Sequence, residues 1–314
     1  MTPLKDQIQL GTCLPHRSDA PIAVAEIGAV AQRAERLGFA DLWVTENQLD
    51  HNYGLDALTI LTYASALTSR IRLGVAVLVM GVHSPISVAH RVASLDYLSG
   101  GRVTLGIGVG RDNDYVDFQI PLQRRVRRFT ESVALMQALW TQPEVTFEGE
   151  VFRLEGGLMA QKPVQKPYPP LWFGGSHPRA LARAVAMADG WIGGGAQTTA
   201  DFGRSVALLR SALDESGRDP ATFSVSKRVF VAIADRAGEA RKAAHHWFDV
   251  VYRQPHLTDI SGVYGTAEQV REQLTVIAAT GATHLLLNPV SDYLAQVDAL
   301  AEVTGLAPVT SRSS

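Results

Sequence analysis

The sequence predicts an α/β fold, a (β/α)8 barrel running as one domain over residues 1–314. Three observations point there. Short apolar runs alternate with amphipathic helical patterns, the mark of repeated βα units and a parallel sheet. The runs number eight, which suits a closed barrel better than an open sheet. The Gly-x-Gly-x-x-Gly that opens a dinucleotide-binding sheet is missing; Gly106-x-Gly108-x-Gly110 imitates only part of it and leads into a polar loop.

The elements follow in order. Ile8 to Leu14 reads as the first strand. Ile27, Val30, Ala31, Ala34 and Leu37 then recur at helical spacing, and Gly38 closes that helix. Asp41 to Val44 is the second strand and Leu55 to Leu67 the second helix. Arg72 to Leu78 is continuously apolar after its arginine, as a strand buried on both faces should be. Pro85 starts the next helix, where its missing N–H costs nothing, and Val88, Val92 and Leu95 face inward. Val103 to Ile107 is the fourth strand. Val126, Phe129, Val133, Met136 and Trp140 mark a long helix. An insertion around residues 143–170 carries five prolines and a small hairpin, Val145–Phe147 against Val151–Leu154.

The rhythm then resumes. Leu171 to Phe173 is strand five and Pro178 to Ala188 its helix. Gly190 to Ile192 is strand six, followed by the helix Ala200 to Ser216. Phe223 to Ala234 is strand seven. Its connection carries two helices, Gly238 to about Val251 and Ala267 to Ala279, the second opened by a Thr266–Gln269 capping box. Thr283 to Leu287 is strand eight, and Ser291 to Val303 the last helix.

Composition limits the function. The chain is 46% hydrophobic and 19% charged with net charge −2, so no basic excess exists to neutralise a nucleic-acid backbone. One cysteine, Cys13, cannot form an internal disulfide, which fits a reducing compartment. No secretory signal is visible at the N-terminus. The longest apolar stretch, Leu73 to Val82, is far shorter than the roughly 20 residues of a spanning helix. These features predict a cytoplasmic protein without membrane partners, its polar end Thr310–Ser314 frayed.

In a barrel, chemistry sits at the C-terminal strand ends. The candidates there are His16, Glu46, Asn47, His83, Arg111, Asp112 and Asn288, with Lys227 and Arg228 inside strand seven. Phe173-Gly174-Gly175-Ser176-His177-Pro178 is the strongest local signal. It reads either as a phosphate cradle, bare N–H groups at a helix N-terminus, or as a tight turn that needs glycine. Gly106 to Gly110 either lets a flat ring approach the backbone or allows tight closure. His245 and His246 are adjacent and point apart, and no histidine pair has metal-ligand spacing, so no metal site is expected. Arg124, Arg125, Arg127 and Arg128 form either a solvated face with pairs such as Arg127–Glu131 or an anion patch.

Several segments resemble the bacterial luciferase-like superfamily. They are Leu37–Asn47, Ile71–Val77 with Ser84-Pro85, Leu95–Gly110, Lys162–Gly175 running on to Trp191, and Gly265–Gln269 with Leu285–Pro289. Together they span almost the whole chain in the family's order, and the proline-rich lead into Gly-Gly-Ser looks most like the coenzyme F420-dependent branch.

The resemblance implies an isoalloxazine-like ring at the barrel mouth. Ala76–Val77 would be a non-prolyl cis peptide supporting it, Gly108 and Gly110 its neighbours, and Gly174–Ser176 the phosphate segment. There are departures. Glu46-Asn47 stands where an acid–histidine pair is common, and Arg111 where the sugar dehydrogenases of the family place a glutamate. Gly193–Gly195 offers no hydroxyl, so the phosphate would need Lys227 or Arg228. These departures argue against sugar-phosphate substrates.

The leading expectation is hydride transfer between coenzyme F420 and a small organic substrate. His16, Glu46 or His83 would manage the proton, and Arg111 an oxyanion or acidic group. The alternatives are an FMN-dependent monooxygenase fed by a partner flavin reductase, a non-catalytic flavin-binding protein, and a metal-dependent barrel hydrolase. The resemblance also implies a homodimer.

Overall fold

Eight parallel strands form the centre of the computed structural model, which describes residues 2–309, so the predicted frayed end at 310–314 lies outside the described residues. They are β1 (Gln9–Cys13), β2 (Asp41–Val44), β3 (Arg72–Val79), β4 (Val103–Gly108), β5 (Leu171–Gly174), β6 (Gly190–Gly193), β7 (Ser224–Ile233) and β8 (His284–Pro289). Each pairs with its sequence neighbours, and β8 closes on β1 with Leu285 opposite Leu10. The barrel is therefore complete, with no open edge among these eight.

The surrounding helices are α1 (Val24–Leu37), α2 (Ala57–Leu67), α3 (Pro85–Ser99), α4 (Arg125–Thr141), α5 (Pro178–Met187), α6 (Thr199–Ser216), α7 (Ala267–Ala279) and α8 (Tyr293–Thr304). Their ends follow local chemistry. Gly38 closes α1 at φ 85°, a left-handed conformation that glycine adopts without Cβ strain. Ser84 caps α3 ahead of Pro85, and the Thr266–Gln269 capping box opens α7.

The lower barrel is plugged. Trp43 and Trp172 stack with ring centroids 5.2 Å apart. The Trp43 indole N–H donates to Asp41 (2.5 Å), which also contacts His284 Nε2 at 3.0 Å. Gly11 and Gly74 make this possible, because a Cβ at either would run into Trp43. The most family-like stretch, Leu95–Gly110, is partly scaffold. Arg102 donates to the carbonyls of Ser65, Thr68, Ile71 and Ser99, tying α2 and α3 to the start of β3.

The structure corrects three expectations. The hairpin is Glu144–Glu148 against Arg153–Leu158, with Phe147 opposite Leu154. Its second arm starts later than predicted because the buried Glu131 carboxylate takes the N–H groups of Glu150, Val151 and Phe152 (3.0, 2.9 and 3.1 Å). For the same reason the Arg127–Glu131 pair is replaced by Arg127–Glu150 at 3.2 Å. In the seventh connection the first helix ends at His246 and continues as a π-helical turn, Trp247–Val251. A short strand, Val263–Gly265, then adds to the end of β7. A strand of three residues is too short to show a period.

Candidate active site

Two cavities open at the C-terminal ends of the strands. The larger, of about 730 Å³, is lined by Ala76, Val77, Gly174, Gly175, Ser176 and Arg228, with the Gly193–Gly195 loop and the first turns of α6 completing it. The Ala76–Val77 peptide is cis, as the resemblance implied. It falls where the β3–β4 register shifts between Val75 and Leu78. Such a bulge re-aims side chains at a barrel rim.

The glycines of β4 and β5 serve that bulge. A Cβ on Gly108 would come within 2.9 Å of Val77 Cγ2, and one on Gly174 within 3.2 Å of Val77 Cγ1. Gly108 and Gly110 do not line the large cavity; they give Val77 and Val79 the space that shapes it from behind. Gly175 has φ 114° and lies exposed with Ser176 ahead of α5. That turn therefore presents backbone to the cavity at the positive end of a helix.

Arg228 reaches the cavity from inside β7. Asn288 aims it by accepting from its Nε (3.1 Å) and Nη2 (2.6 Å). The terminal Leu-Leu-Leu-Asn-Pro segment thus has a physical role, three buried leucines and one orienting amide. Lys227 points the other way. Its Nζ donates to the Gly194 carbonyl at 2.6 Å and it stands 3% exposed outside the large cavity. Burial pushes its pKa down to about 7.

The second cavity, of about 590 Å³, lies between the loops after β2 and β4 and the connection after β7. Glu46 and Arg111 both line it. The Glu46 side chain is 4% exposed and accepts from His83 Nε2 (2.7 Å), Gln48 Nε2 (2.6 Å) and the Val79 N–H (2.6 Å). Burial alone would raise its pKa. The hydrogen bond and charge of His83, with the Val79 and Gln48 bonds, outweigh that and hold the carboxyl below its ordinary range. His83 faces a neighbouring cleft of about 400 Å³ that Glu46 also lines, so the pair connects the two spaces. Arg111 is largely exposed at the rim, beside Asp114.

His16 lies elsewhere. It is 1% exposed and lines neither cavity. Its Nδ1 meets the Leu14 carbonyl at 2.7 Å and its Nε2 the Thr45 hydroxyl at 2.8 Å. The carbonyl can only accept, so Nδ1 carries the proton and Thr45 donates to Nε2. Burial lowers its pKa to about 3, so the ring is neutral. The structure thus brings Glu46, His83 and Arg111 around the mouth and leaves His16 in the wall beneath.

Sequence reasoning missed Tyr252, Gln197, Asp201 and Arg204 of the large cavity and the Arg17–Asp50 pair (2.5 Å) of the second. None belongs to a motif. Tyr252, Gln197, Arg17 and Asp50 come from connections without a period, and Asp201 and Arg204 sit on the first turns of α6, whose period marks only its buried face. Among the described residues no three His, Cys, Asp or Glu side chains gather as a metal site, and no helix is long and apolar enough to cross a membrane.

The family described as luciferase-like monooxygenase matches residues 8–282. The chain belongs to that family. It is therefore a luciferase-like oxidoreductase built on a TIM barrel. An uncharacterised protein of Mycobacterium tuberculosis is 39% identical over 170 residues, 52% of this chain and 58% of that protein. A phthiodiolone/phenolphthiodiolone dimycocerosates ketoreductase of the same organism is 33% identical over 194 residues, 61% of this chain and 50% of that one. The chain thus spans about half the length of these curated relatives. Among solved structures, an F420-dependent secondary alcohol dehydrogenase in complex with an F420-acetone adduct superposes with TM-score 0.83 at 20% identity, covering 95% of this chain and 98% of the other. That likeness is one of fold.

Proposed function

We propose that this luciferase-like oxidoreductase uses coenzyme F420 to move a hydride to or from a small carbonyl or alcohol substrate. The observation that carries the reading is the pairing of cavities. One suits a flat ring with a phosphate; the other, beside it, holds a buried acid–imidazole pair. The large cavity lies within the roughly 300–1,000 Å³ range of cofactor and ligand sites. The exposed Gly175–Ser176 turn ahead of α5 and the aimed Arg228 guanidinium fit an anion.

Coenzyme F420 would supply a two-electron hydride centre when bound. The chain's own residues do the rest. Val77 on its bulge supports the ring, and the glycine turn with Arg228 holds the phosphate. Glu46 takes the hydroxyl proton of an alcohol, or returns it to a carbonyl oxygen, and exchanges it through His83 with the outer cleft. Arg111 at the rim draws in or orients a polar substrate group. The ketoreductase among the relatives and the alcohol dehydrogenase among the folds favour carbonyl–alcohol chemistry over other hydride acceptors.

A second reading keeps the same cavities with FMN and a partner flavin reductase, as the family's monooxygenase description allows. Turnover separates the two. Protein loaded with reduced coenzyme F420 should oxidise it on addition of acetone or a longer methyl ketone, without oxygen. Turnover that requires reduced FMN and oxygen instead would replace the first reading with the second.

A further inference from the structure

The two cavities share one lining residue, Tyr252. Its ring is wedged edge-on against Phe230 and Phe248, with centroids 5.2 and 5.8 Å away. Its N–H closes the π-helical turn on the Trp247 carbonyl at 2.8 Å. Such turns are rare and frequently lie at functional sites.

The next residue, Arg253, has φ 57°, a left-handed conformation uncommon for a non-glycine. Its neighbours hold it there. Arg253 Nε donates to His51 Nε2 at 2.6 Å, and His51 Nδ1 meets Asp50 at 3.0 Å. Asp50 in turn takes Arg17 Nε at 2.5 Å, while Asn52 Nδ2 donates to the Val251 carbonyl at 2.9 Å. The chain around Tyr252 is thus strapped across the barrel mouth to the loops after β1 and β2.

We propose that Tyr252 is a specificity-determining residue, an aromatic partition between the cofactor cavity and the substrate cavity that limits substrate length. This rests on the cofactor reading above. With the ring in place, a substrate in the 590 Å³ space meets the cofactor only at the partition's edge. Removing the ring joins that space to the 730 Å³ cavity and admits longer chains.

The test compares wild type, Tyr252→Phe and Tyr252→Ala, each bound to coenzyme F420 or, if FMN binds more tightly, to FMN. Acrylamide quenching of the bound cofactor's fluorescence reads the partition directly and needs no turnover. With cofactor saturating at each variant's own measured affinity, the Ala variant should show a clearly steeper quenching slope than wild type. Its kcat/KM for methyl pentyl ketone relative to acetone should rise by roughly tenfold or more, the worth of a methylene or two in a pocket. The Phe variant keeps the ring and should match wild type in both.

Unchanged quenching and chain-length preference in the Ala variant would overturn the partition. So would a Phe variant that behaves like Ala. If neither cofactor binds the wild type, the functional reading falls first and the partition with it, an outcome distinct from normal binding with unchanged quenching.

Discussion

Replacing Glu46 with glutamine tests the acid at the mouth. The carboxylate receives three donors, from Val79, His83 and Gln48. An amide has one acceptor oxygen and turns an NH2 toward donors that need an acceptor. Val79 N–H can keep its bond; the other two lose a charged partner. Bonds to charged groups contribute roughly 1.5–3 kcal/mol each, less where water can replace them. Because His83 and Gln48 are more accessible than Glu46, a total loss of about 2 kcal/mol is expected.

Urea unfolding and thermal melts would read the loss of stability. The sign with pH is fixed. Glu46 is held below its ordinary pKa in the folded state, so its contribution is full above the unfolded value of about 4.3 and disappears as pH falls through the lower folded value. The gap between wild type and Glu46→Gln should be present at neutral pH and close in acid well below the unfolded carboxylate value. Equal midpoints at neutral pH, or a gap that persists undiminished in strong acid, would contradict this role of the carboxylate. Carbonyl turnover should fall roughly 100- to 10,000-fold; wild-type turnover would remove Glu46 from the chemistry.

Other predictions concern single residues. Lys227→Met should stabilise the protein near neutral pH. Lys227 titrates near 7 when folded rather than 10.5, a shift worth up to roughly 5 kcal/mol. The unfolded chain binds its proton more readily, so wild-type stability should rise between those values relative to the Met variant; parallel pH profiles would contradict the burial cost. Gly175→Ala forces a side chain to φ 114° and should cost about 1–3 kcal/mol while weakening cofactor binding, read by melts and calorimetry. Gly194→Ala is its stability control, since nothing lies within 4 Å of an added Cβ there.

The strands and helices were legible because each buries a face with a regular period. Asp41–Val44 matches to the residue, although it is buried at all four positions and shows no such period. The wall of the large cavity was legible in part: the turn at Gly175 is a backbone feature that demands glycine, while Ala76–Val77 was marked only by the family resemblance. The second cavity was less so. Glu46 and His83 stood out only as residues after strands, and their pairing across 37 positions needs the barrel to close. His16 looked equivalent to His83 by position, yet its burial beneath Thr45 separates them. Tyr252 had no signal, because a π-helical turn inside a long connection leaves no period to read.

Titrating the apo protein with coenzyme F420 and with FMN in parallel, then adding a methyl ketone to the reduced complex without oxygen, decides between the two cofactors. The coenzyme F420 assignment predicts tighter binding of that cofactor, weakened by Gly175→Ala, and its ketone-dependent oxidation. Preference for FMN with oxygen-dependent turnover, or binding of neither, would contradict it.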